Sequence, residues 1–549
     1  MANVWDDDAH GDREEYGKGG VAVGIDLGTT NSCVSVWVED KARAKTIKCA
    51  ESGRKTFRSV VLLDAENKLV AIGDKAVEMY VGHDGNVLVG SSKRFIGRRF
   101  SSVTKEEMDM FPFKIMESQS KKDQIVISNP ASSSKGVEPE LIACAILLKL
   151  KHIAEEYLER QVDKAVITVP AFFTERQKAA TKRAGEMAKL KVLRLLTEPM
   201  AAAMSYGLFV AGKKTSMVVD MGGGTFDVSV LRIDNGKFEA LVLGGDNKLG
   251  GDSVDHILMQ YAASTLDKTI ETMSPRDKSS LKDDCEQAKI SLSTQDHAWI
   301  QDGLTINLEQ FEKLVEPLKQ RTVEIIQHVL GDTKGIVIDE VILVGLSTKM
   351  PWLRRTLLEL VPSCKELCTN VQADRAVSQG AAIQAAILSG VDRYTLSKVL
   401  MLDALPYSVG LEAGDGKFVP MLNRNSKMPC SESKIFTTHR DYQRAITIDI
   451  FEGEDPIART NRWVDYRDFV VEQGSKLKAG EASIMVTFTV TENGTLKVEA
   501  ETVKSKGNEH THEEEIPNMS FLVTALVLLV AIFIYAKTTF AEQLRFEQV

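Results

Sequence analysis

The chain has 549 residues, 43% of them apolar and 26% charged, with a formal net charge of -9. At ~100–200 residues per domain this length calls for several domains of ordinary globular composition. A net negative chain lacks the basic surface that a phosphate backbone requires, so nucleic acid is not expected as a partner. The seven cysteines are scattered and odd in number, which argues against a disulfide framework and suits a reducing compartment. Cys364 and Cys368 stand close enough for a metal pair, but no second Cys or His pair follows at ligand spacing, and two ordinary thiols are the simpler reading.

Residues 1–20 are rich in Asp, Glu and Gly and carry neither an apolar run nor a basic amphipathic pattern. They are expected to form an acidic disordered tail, not a secretory signal or a transit peptide. From 21 to 397, strand-like and helix-like segments alternate, which implies an α/β architecture. Val34, Val36 and Val38 mark a strand, and Leu141 to Leu158, free of Gly and Pro, marks a helix. Residues 398–404 form a short apolar connection where linkers are normally polar. It reads either as an edge strand or as a segment that docks on the first domain in one state and releases in another. From 405 to 503 the period changes to two: Ile446, Ile448 and Ile450 share one face, as do Ile484, Val486, Phe488 and Val490. Asn493-Gly494 supplies a two-residue turn, and the whole predicts a β-sandwich. A polar spacer, 504–519, precedes the uncharged apolar stretch 520–536, and 537–549 close the chain. At ~1.5 Å per residue that stretch spans roughly 25 Å, near the short end for a bilayer. A buried helix this apolar needs a surrounding domain, so a single transmembrane helix is the better account.

Two segments repeat one design. Val21 to Ser32 reads as strand, tight turn, strand, with Asp26 at the first strand's end followed by Gly28, Thr29 and Thr30. Ser216 to Asp227 does the same with Asp220, Gly222, Gly223, Gly224 and Thr225. Glycine lets backbone N–H groups approach phosphate oxygens, threonine hydroxyls add donors, and strand-end carboxylates hold Mg²⁺, usually through water. Neither segment is a Walker A loop or a Rossmann fingerprint, because no GxxxxGK[ST] occurs and a strand follows the glycines. Two such loops imply a two-lobed fold gripping a nucleotide from both sides.

On these residues the chain resembles the 70-kDa heat-shock chaperone family, with its actin-like ATPase fold. The resemblance runs from Val21 to about Val503. It includes IDLGTTNSCVSV (Ile25 to Val36), KRFIGRRF (Lys93 to Phe100) and ITVPAFFTERQKAATKRAG (Ile167 to Gly185). TEPMAAAMSYG (Thr197 to Gly207), VDMGGGTFDVSVL (Val219 to Leu231) and LGGDSVD (Leu249 to Asp255) follow, then ILVGLSTKMP (Ile342 to Pro351), the apolar linker and FTTHRDYQ (Phe436 to Gln443). The resemblance implies ATP or ADP with Mg²⁺ as cofactor. Asp26 and Asp220 are expected on the metal side through water. Lys93, Glu198, Asp227 and Thr225 are the expected catalytic set. Gly28, Thr29, Thr30, Gly222, Gly223, Gly224, Glu286, Lys289, Ser293, Gly345, Ser347 and Asp374 are expected to contact nucleotide. Such chemistry needs positioning and charge compensation more than a covalent nucleophile. Pro170, Lys178 and Lys182 match positions that relay nucleotide state to the linker, and Asp403 and Arg424 match the domain junction. In the β-domain, Val409, Leu411, Phe436, Ile446 and Ile448 match the lining of a pocket for extended apolar peptides. A J-domain co-chaperone and a nucleotide-exchange factor are implied partners, besides unfolded polypeptide.

The chain also departs from the family pattern. Ile290 replaces an arginine that packs on adenine, Leu346 replaces a glycine, Lys349 replaces an arginine, and Thr197 and Met200 stand for Asn and Thr. The cleavage machinery looks intact while the base pocket looks remodelled. That leaves two functional readings, an ATP-dependent chaperone and a weakly hydrolysing or non-hydrolysing holdase relative. Gly414 implies an open arch over the peptide, and the short spacer leaves no room for the family's helical lid. The expected topology is a C-terminally anchored single-pass protein with its bulk in the cytosol, in the endoplasmic reticulum membrane in preference to the mitochondrial outer membrane.

Overall fold

A computed structural model describes residues 21–80, 85–208, 212–364, 366–368, 372–391, 396, 398–472, 474–492 and 494–503. Its first lobe is built on β1 (Val21–Asp26), β2 (Asn31–Val38), β3 (Arg43–Thr46), β4 (Val162–Val169) and β5 (Lys191–Thr197), in the order β5-β4-β1-β2-β3. The β1-β2-β3 part is an antiparallel meander, and β4 and β5 join it in parallel. The crossover between β4 and β5 runs through a helix, as parallel strands require.

The second lobe repeats this plan. In it β6 (Lys213–Met221), β7 (Phe226–Asp234) and β8 (Lys237–Asp246) form the meander, with β9 (Glu340–Val344) and β10 (Leu367–Cys368) parallel beyond β6. The repeat puts Asp26 at the end of β1 and Asp220 near the end of β6, so the two glycine loops occupy equivalent corners.

Helices cover the sheets. Among them are α1 (Pro139–Leu158), α2 (Glu175–Met187), α3 (Glu198–Gly207), α4 (Gly251–Thr265), α5 (Pro275–Ser291) and α6 (Ala376–Ser389). Helix α2 starts at a capping box in which Thr174 and Gln177 exchange side-chain-to-backbone bonds. Helix α1 begins two residues before the expected Leu141, because Pro139 opens it at a position where a missing N–H costs nothing. Helices α3 and α6 cross backbone to backbone: a Cβ on Gly380 would lie 1.8 Å from the Ala201 carbonyl oxygen. Strand β2 lies between α1 and α6 and is buried from Ser32 onward, where an alternating strand would leave one face open.

The linker settles as β11 (Leu400–Leu402), which adds to the edge of the second lobe by pairing in parallel with β8. The edge-strand and docking readings therefore describe one arrangement. Beyond it, β12 (Val409–Glu412), β13 (Phe418–Leu422), β14 (Cys430–Thr437), β15 (Ala445–Glu452), β16 (Arg462–Val470), β17 (Ser483–Val490) and β18 (Leu496–Val503) form two sheets, β13-β12-β15-β16 and β14-β17-β18. Ile448, Ile450, Ile484, Val486, Phe488 and Val490 fill the core between them. The turn after β17 is longer than two residues. The Thr491 N–H bonds the Thr495 carbonyl, and the Gly494 N–H bonds the Thr491 carbonyl. The Thr491 hydroxyl accepts a further bond from the Thr495 N–H, which favours this wider loop.

The described residues from Val21 to Thr502 form one compact unit. Among the described residues no helix is long and apolar enough to cross a membrane. The expected tail 1–20, spacer 504–519, span 520–536 and terminus 537–549 lie outside the described residues.

Candidate nucleotide site

Between the lobes lies a cleft of about 560 Å³. Asp26, Gly28, Thr29, Thr30, Lys93, Glu198, Asp220, Gly222, Gly223 and Thr225 line one end, and Glu286, Lys289, Ser293, Gly345, Ser347 and Asp374 line the other. Of the expected catalytic and nucleotide contacts, only Gly224 and Asp227 fall outside this lining.

The two glycine loops interlock at the floor. A Cβ on Gly223 would stand 2.0 Å from the Thr30 hydroxyl oxygen, and one on Gly224 would stand 2.8 Å from that of Thr29. Gly223 and Gly224 are required because the second loop receives both threonines of the first. The first turn of α4 clamps the second loop: Gly251 N–H bonds the Gly222 carbonyl at 2.9 Å, and Asp252 N–H bonds that of Gly223 at 2.8 Å. Ser347 Oγ also donates to the Gly222 carbonyl, at 2.9 Å.

Charge at this end is unbalanced. The buried Lys93 ammonium donates to Glu198 at 2.6 Å. Asp26, Asp220 and Asp227 gather around this pair with no second cation among them. Burial, and then the Glu198 charge, push Asp26 up to about 7. The same two causes hold Asp220 and Asp227 well above the usual carboxylate range. Both Asp227 oxygens are buried without a hydrogen bond of good geometry. The Phe172 and Ala171 N–H groups lower its pKa, but less than burial raises it. This is a set of acids awaiting positive charge, and Mg²⁺ fits it. Among the described residues no three His, Cys, Asp or Glu side chains come close enough to ligate a metal directly.

Lys289 pairs with Asp255 at 2.6 Å and also donates to the Gly251 carbonyl at 3.3 Å. At the base end, Ile290 is 52% exposed and Leu346 45% exposed, both toward the cleft. Gly345 holds a positive φ of 78° against the Met221 carbonyl. Arg354 and Thr56 also line the cleft, and neither carries a signal that the sequence reading could use. Asp252 went unassigned too, although its motif was recognised. It accepts from Ser91 at 2.6 Å and faces Arg94 and Lys282 at 3.7 and 3.8 Å, bridging the two lobes across the cleft.

The expected peptide-pocket residues sit in the β-sandwich. Val409, Leu411 and Ile448 are buried in its core, with Phe436 and Ile446 half-buried beside them. Cys364 is buried and its thiol donates to the Glu366 carbonyl at 3.0 Å, as an ordinary cysteine can.

The sandwich packs on both lobes. Arg424 donates to Asp332 at 2.6 Å and to the Leu243 carbonyl at 3.0 Å. Arg194 donates to the Glu492 carbonyl at 2.6 Å. Lys178, buried and bonded to Glu175 at 3.0 Å, lies close enough to Glu452 and Asp403 to feel both charges.

The family model described as Hsp70 protein matches residues 22–525. "Heat shock cognate 70 kDa protein 3" of Dictyostelium discoideum is 36% identical over 504 residues, covering 88% of this chain and 79% of that protein. "Heat shock cognate HSP70 protein" of Trypanosoma brucei brucei is 37% identical over 528 residues, covering 91% and 77% respectively. The interlocked phosphate loops, the acids around Lys93 and these matches lead to one conclusion: the chain belongs to the Hsp70 family of chaperone ATPases.

Proposed function

We propose that this chain is an ATP-regulated chaperone that holds extended apolar peptide segments near a membrane and releases them in response to nucleotide. The observation that carries the reading is β11. The linker is a strand of the ATPase head, paired with β8, and it leads directly into the peptide-binding sandwich. A change in the head's sheet therefore reaches the sandwich through main-chain hydrogen bonds.

In the head, Lys93 would stabilise charge developing on the phosphate being cleaved and help place the attacking water, Glu198 and Asp227 would order that water, and Thr225 would bind phosphate. Mg²⁺, when bound with nucleotide, supplies positive charge to the phosphate oxygens, and Asp26 and Asp220 would hold its water shell. In the sandwich, Val409, Leu411, Phe436, Ile446 and Ile448 would receive an aliphatic side chain of the client. Co-chaperones of the J-domain and nucleotide-exchange types would act on the head and its junction. The test is the rate at which a fluorescent aliphatic peptide leaves the protein. ATP should speed release, and Leu400→Asp with Leu402→Asp should abolish that effect. Identical off-rates with and without ATP in the unsubstituted chain would sink the reading.

A second reading, a holdase with weak nucleotide dependence, is favoured by the exposed Ile290 and Leu346 at the base end. The buried Lys93–Glu198 pair supports the first.

The membrane part rests on the uncharged stretch 520–536. The reading is a single C-terminal span, with the ATPase head cytosolic and the endoplasmic reticulum as host. Residues 504–519 form a polar spacer between the sandwich and this stretch. Asn493-Gly-Thr and Asn518-Met-Ser are glycosylation sequons. Both should stay unmodified, while a sequon appended after Val549 should gain glycan. Glycan on Asn493 would overturn the topology.

A further inference from the structure

A second cavity, of about 240 Å³, opens behind the phosphate end of the cleft. Thr29, Lys93 and Thr225 line both spaces, so the two meet where the terminal phosphate would lie. The walls of the second cavity carry Arg94, Arg98, Arg99, Arg176 and Lys248 from the head and Arg462 from β16, and no acidic side chain. Several of these cations have acids behind them. Arg98 and Lys248 face Glu107 at 2.6 and 3.6 Å, Arg94 faces Asp252 at 3.7 Å, and Arg99 faces Asp123 at 3.7 Å. Those acids fix the cations in place but do not line the cavity.

The donors are not used up. Arg176 makes no ion pair among the described residues and is exposed toward the opening. A wall of guanidinium and ammonium groups with no acidic side chain is matched by an oxyanion, which guanidinium binds through charge-assisted hydrogen bonds. A narrow cavity with cationic walls also focuses a field that draws anions inward. Its volume accommodates a tetrahedral oxyanion with several waters, at about 30 Å³ per water.

The mouth is closed by the sandwich. The Arg99 guanidinium stacks 3.7 Å from the centre of the Trp463 ring, and Val464 and Arg462 complete the cover. Head and sandwich thus share one wall, and undocking the sandwich would remove it.

We propose that this chamber is a binding site for orthophosphate leaving the ATPase centre, and that the docked sandwich is its door. Phosphate is retained while Trp463 covers Arg99 and departs when β16 moves away. Product release is thereby tied to the same docking that governs the peptide site. The inference rests on ATP cleavage in the cleft.

The test uses the full chain in single turnover. Acid quench reads cleavage, and a fluorescent phosphate sensor reads free phosphate. Trp463→Ala should shorten the lag between the two by about threefold or more. In parallel, inorganic phosphate is titrated onto the protein loaded with ADP and Mg²⁺. Arg176→Glu with Arg462→Glu, both exposed positions, should weaken phosphate binding by about tenfold or more. A lag equal to that of the unsubstituted chain overturns the door, and an unchanged phosphate affinity overturns the site. Absence of cleavage in the unsubstituted chain would count against the ATPase reading instead, and the titration would still decide the chamber.

Discussion

The Thr197 hydroxyl donates to the Asp403 carboxylate at 2.9 Å. Thr197 immediately precedes Glu198, the partner of Lys93, and Asp403 immediately follows β11. One hydrogen bond therefore joins the N-terminus of the helix that carries Glu198, an acid of the cleft, to the end of the linker. Asp403 is buried, which raises its pKa, while the Ala404 N–H, Thr197 and the Lys178 and Arg194 charges favour its ionised form. A hydrogen bond to a charged group contributes about 1.5–3 kcal/mol. Thr197→Val should therefore reduce the docked population of the sandwich by about tenfold or more. Protease cleavage within 398–404 in the presence of ATP reads this directly. Protection equal to that of the unsubstituted chain would show that the bond does not couple the two parts.

Lys93→Ala should lower single-turnover ATP cleavage by about a hundredfold or more, the range for loss of one preorganised charge at a reacting oxyanion. The substitution also leaves Glu198 buried beside Asp26 and Asp220 without a counter-charge. Nucleotide binding should survive, because the interlocked loops do not use Lys93 to hold their shape. Acid-quench rates with a parallel binding titration separate the two effects. Cleavage within tenfold of the unsubstituted rate would remove Lys93 from the catalytic set.

Docking should depend on pH through Glu452. This side chain of β15 is buried against the head, with Glu175 and Lys178 of α2, Arg462 of β16 and Tyr407 around it. Burial first, and then Glu175, raise it from 4.5 to about 7, and one of its oxygens has no hydrogen-bond partner. Undocking exposes the group and removes Glu175, so the docked form binds the proton more tightly. Docking is then strongest below the free value and weakens as pH rises through about 7. The docking equilibrium constant should fall by roughly tenfold between pH 6 and 8. Fluorescence transfer between labels on head and sandwich measures it, and Glu452→Gln should flatten the curve. A docked fraction that rises with pH would contradict the assignment.

Much of the head was legible because its signals are local. The Asp-Gly-Thr loops announce themselves by residue type, and the structure places Asp26 and Asp220 in equivalent corners of the two lobes. What the loops do to each other was not legible. The contact of Gly223 with Thr30 joins residues far apart in sequence, and only the repeat of the fold brings them together. The same limit explains β2, which reads as a one-faced strand until α6, from the far end of the domain, covers its second side. Linker residues 398–404 left two readings open because apolar pattern alone cannot say which edge a strand joins. Nothing local to Arg462 and Trp463 indicates that Arg99 stands opposite the Trp463 ring.

The end of the cleft lined by Ile290, Leu346 and Lys349, the expected base end, has a geometry with a testable consequence. Ile290 and Leu346 line the cleft while keeping about half of their surface in water. An adenine between them gains apolar contact but no planar cation, and Leu346 keeps its backbone farther from the nucleotide than glycine would. Lys349, on the same rim, is a flexible point charge without a stacking plane. Stacking of a base on a guanidinium contributes about 1–2 kcal/mol once water is excluded. Ile290→Arg with Leu346→Gly should therefore tighten ATP by about tenfold. The phosphate end is untouched by these changes, so the cleavage rate of bound ATP should move much less than the affinity. The same argument fixes selectivity: with aliphatic clamps, ATP and GTP should bind this chain more equally than they bind the double variant. Calorimetric titration of both nucleotides against both proteins gives four affinities. Equal or weaker ATP binding in the double variant would mean that Ile290 and Leu346 already grip the base as well as the residues they replace.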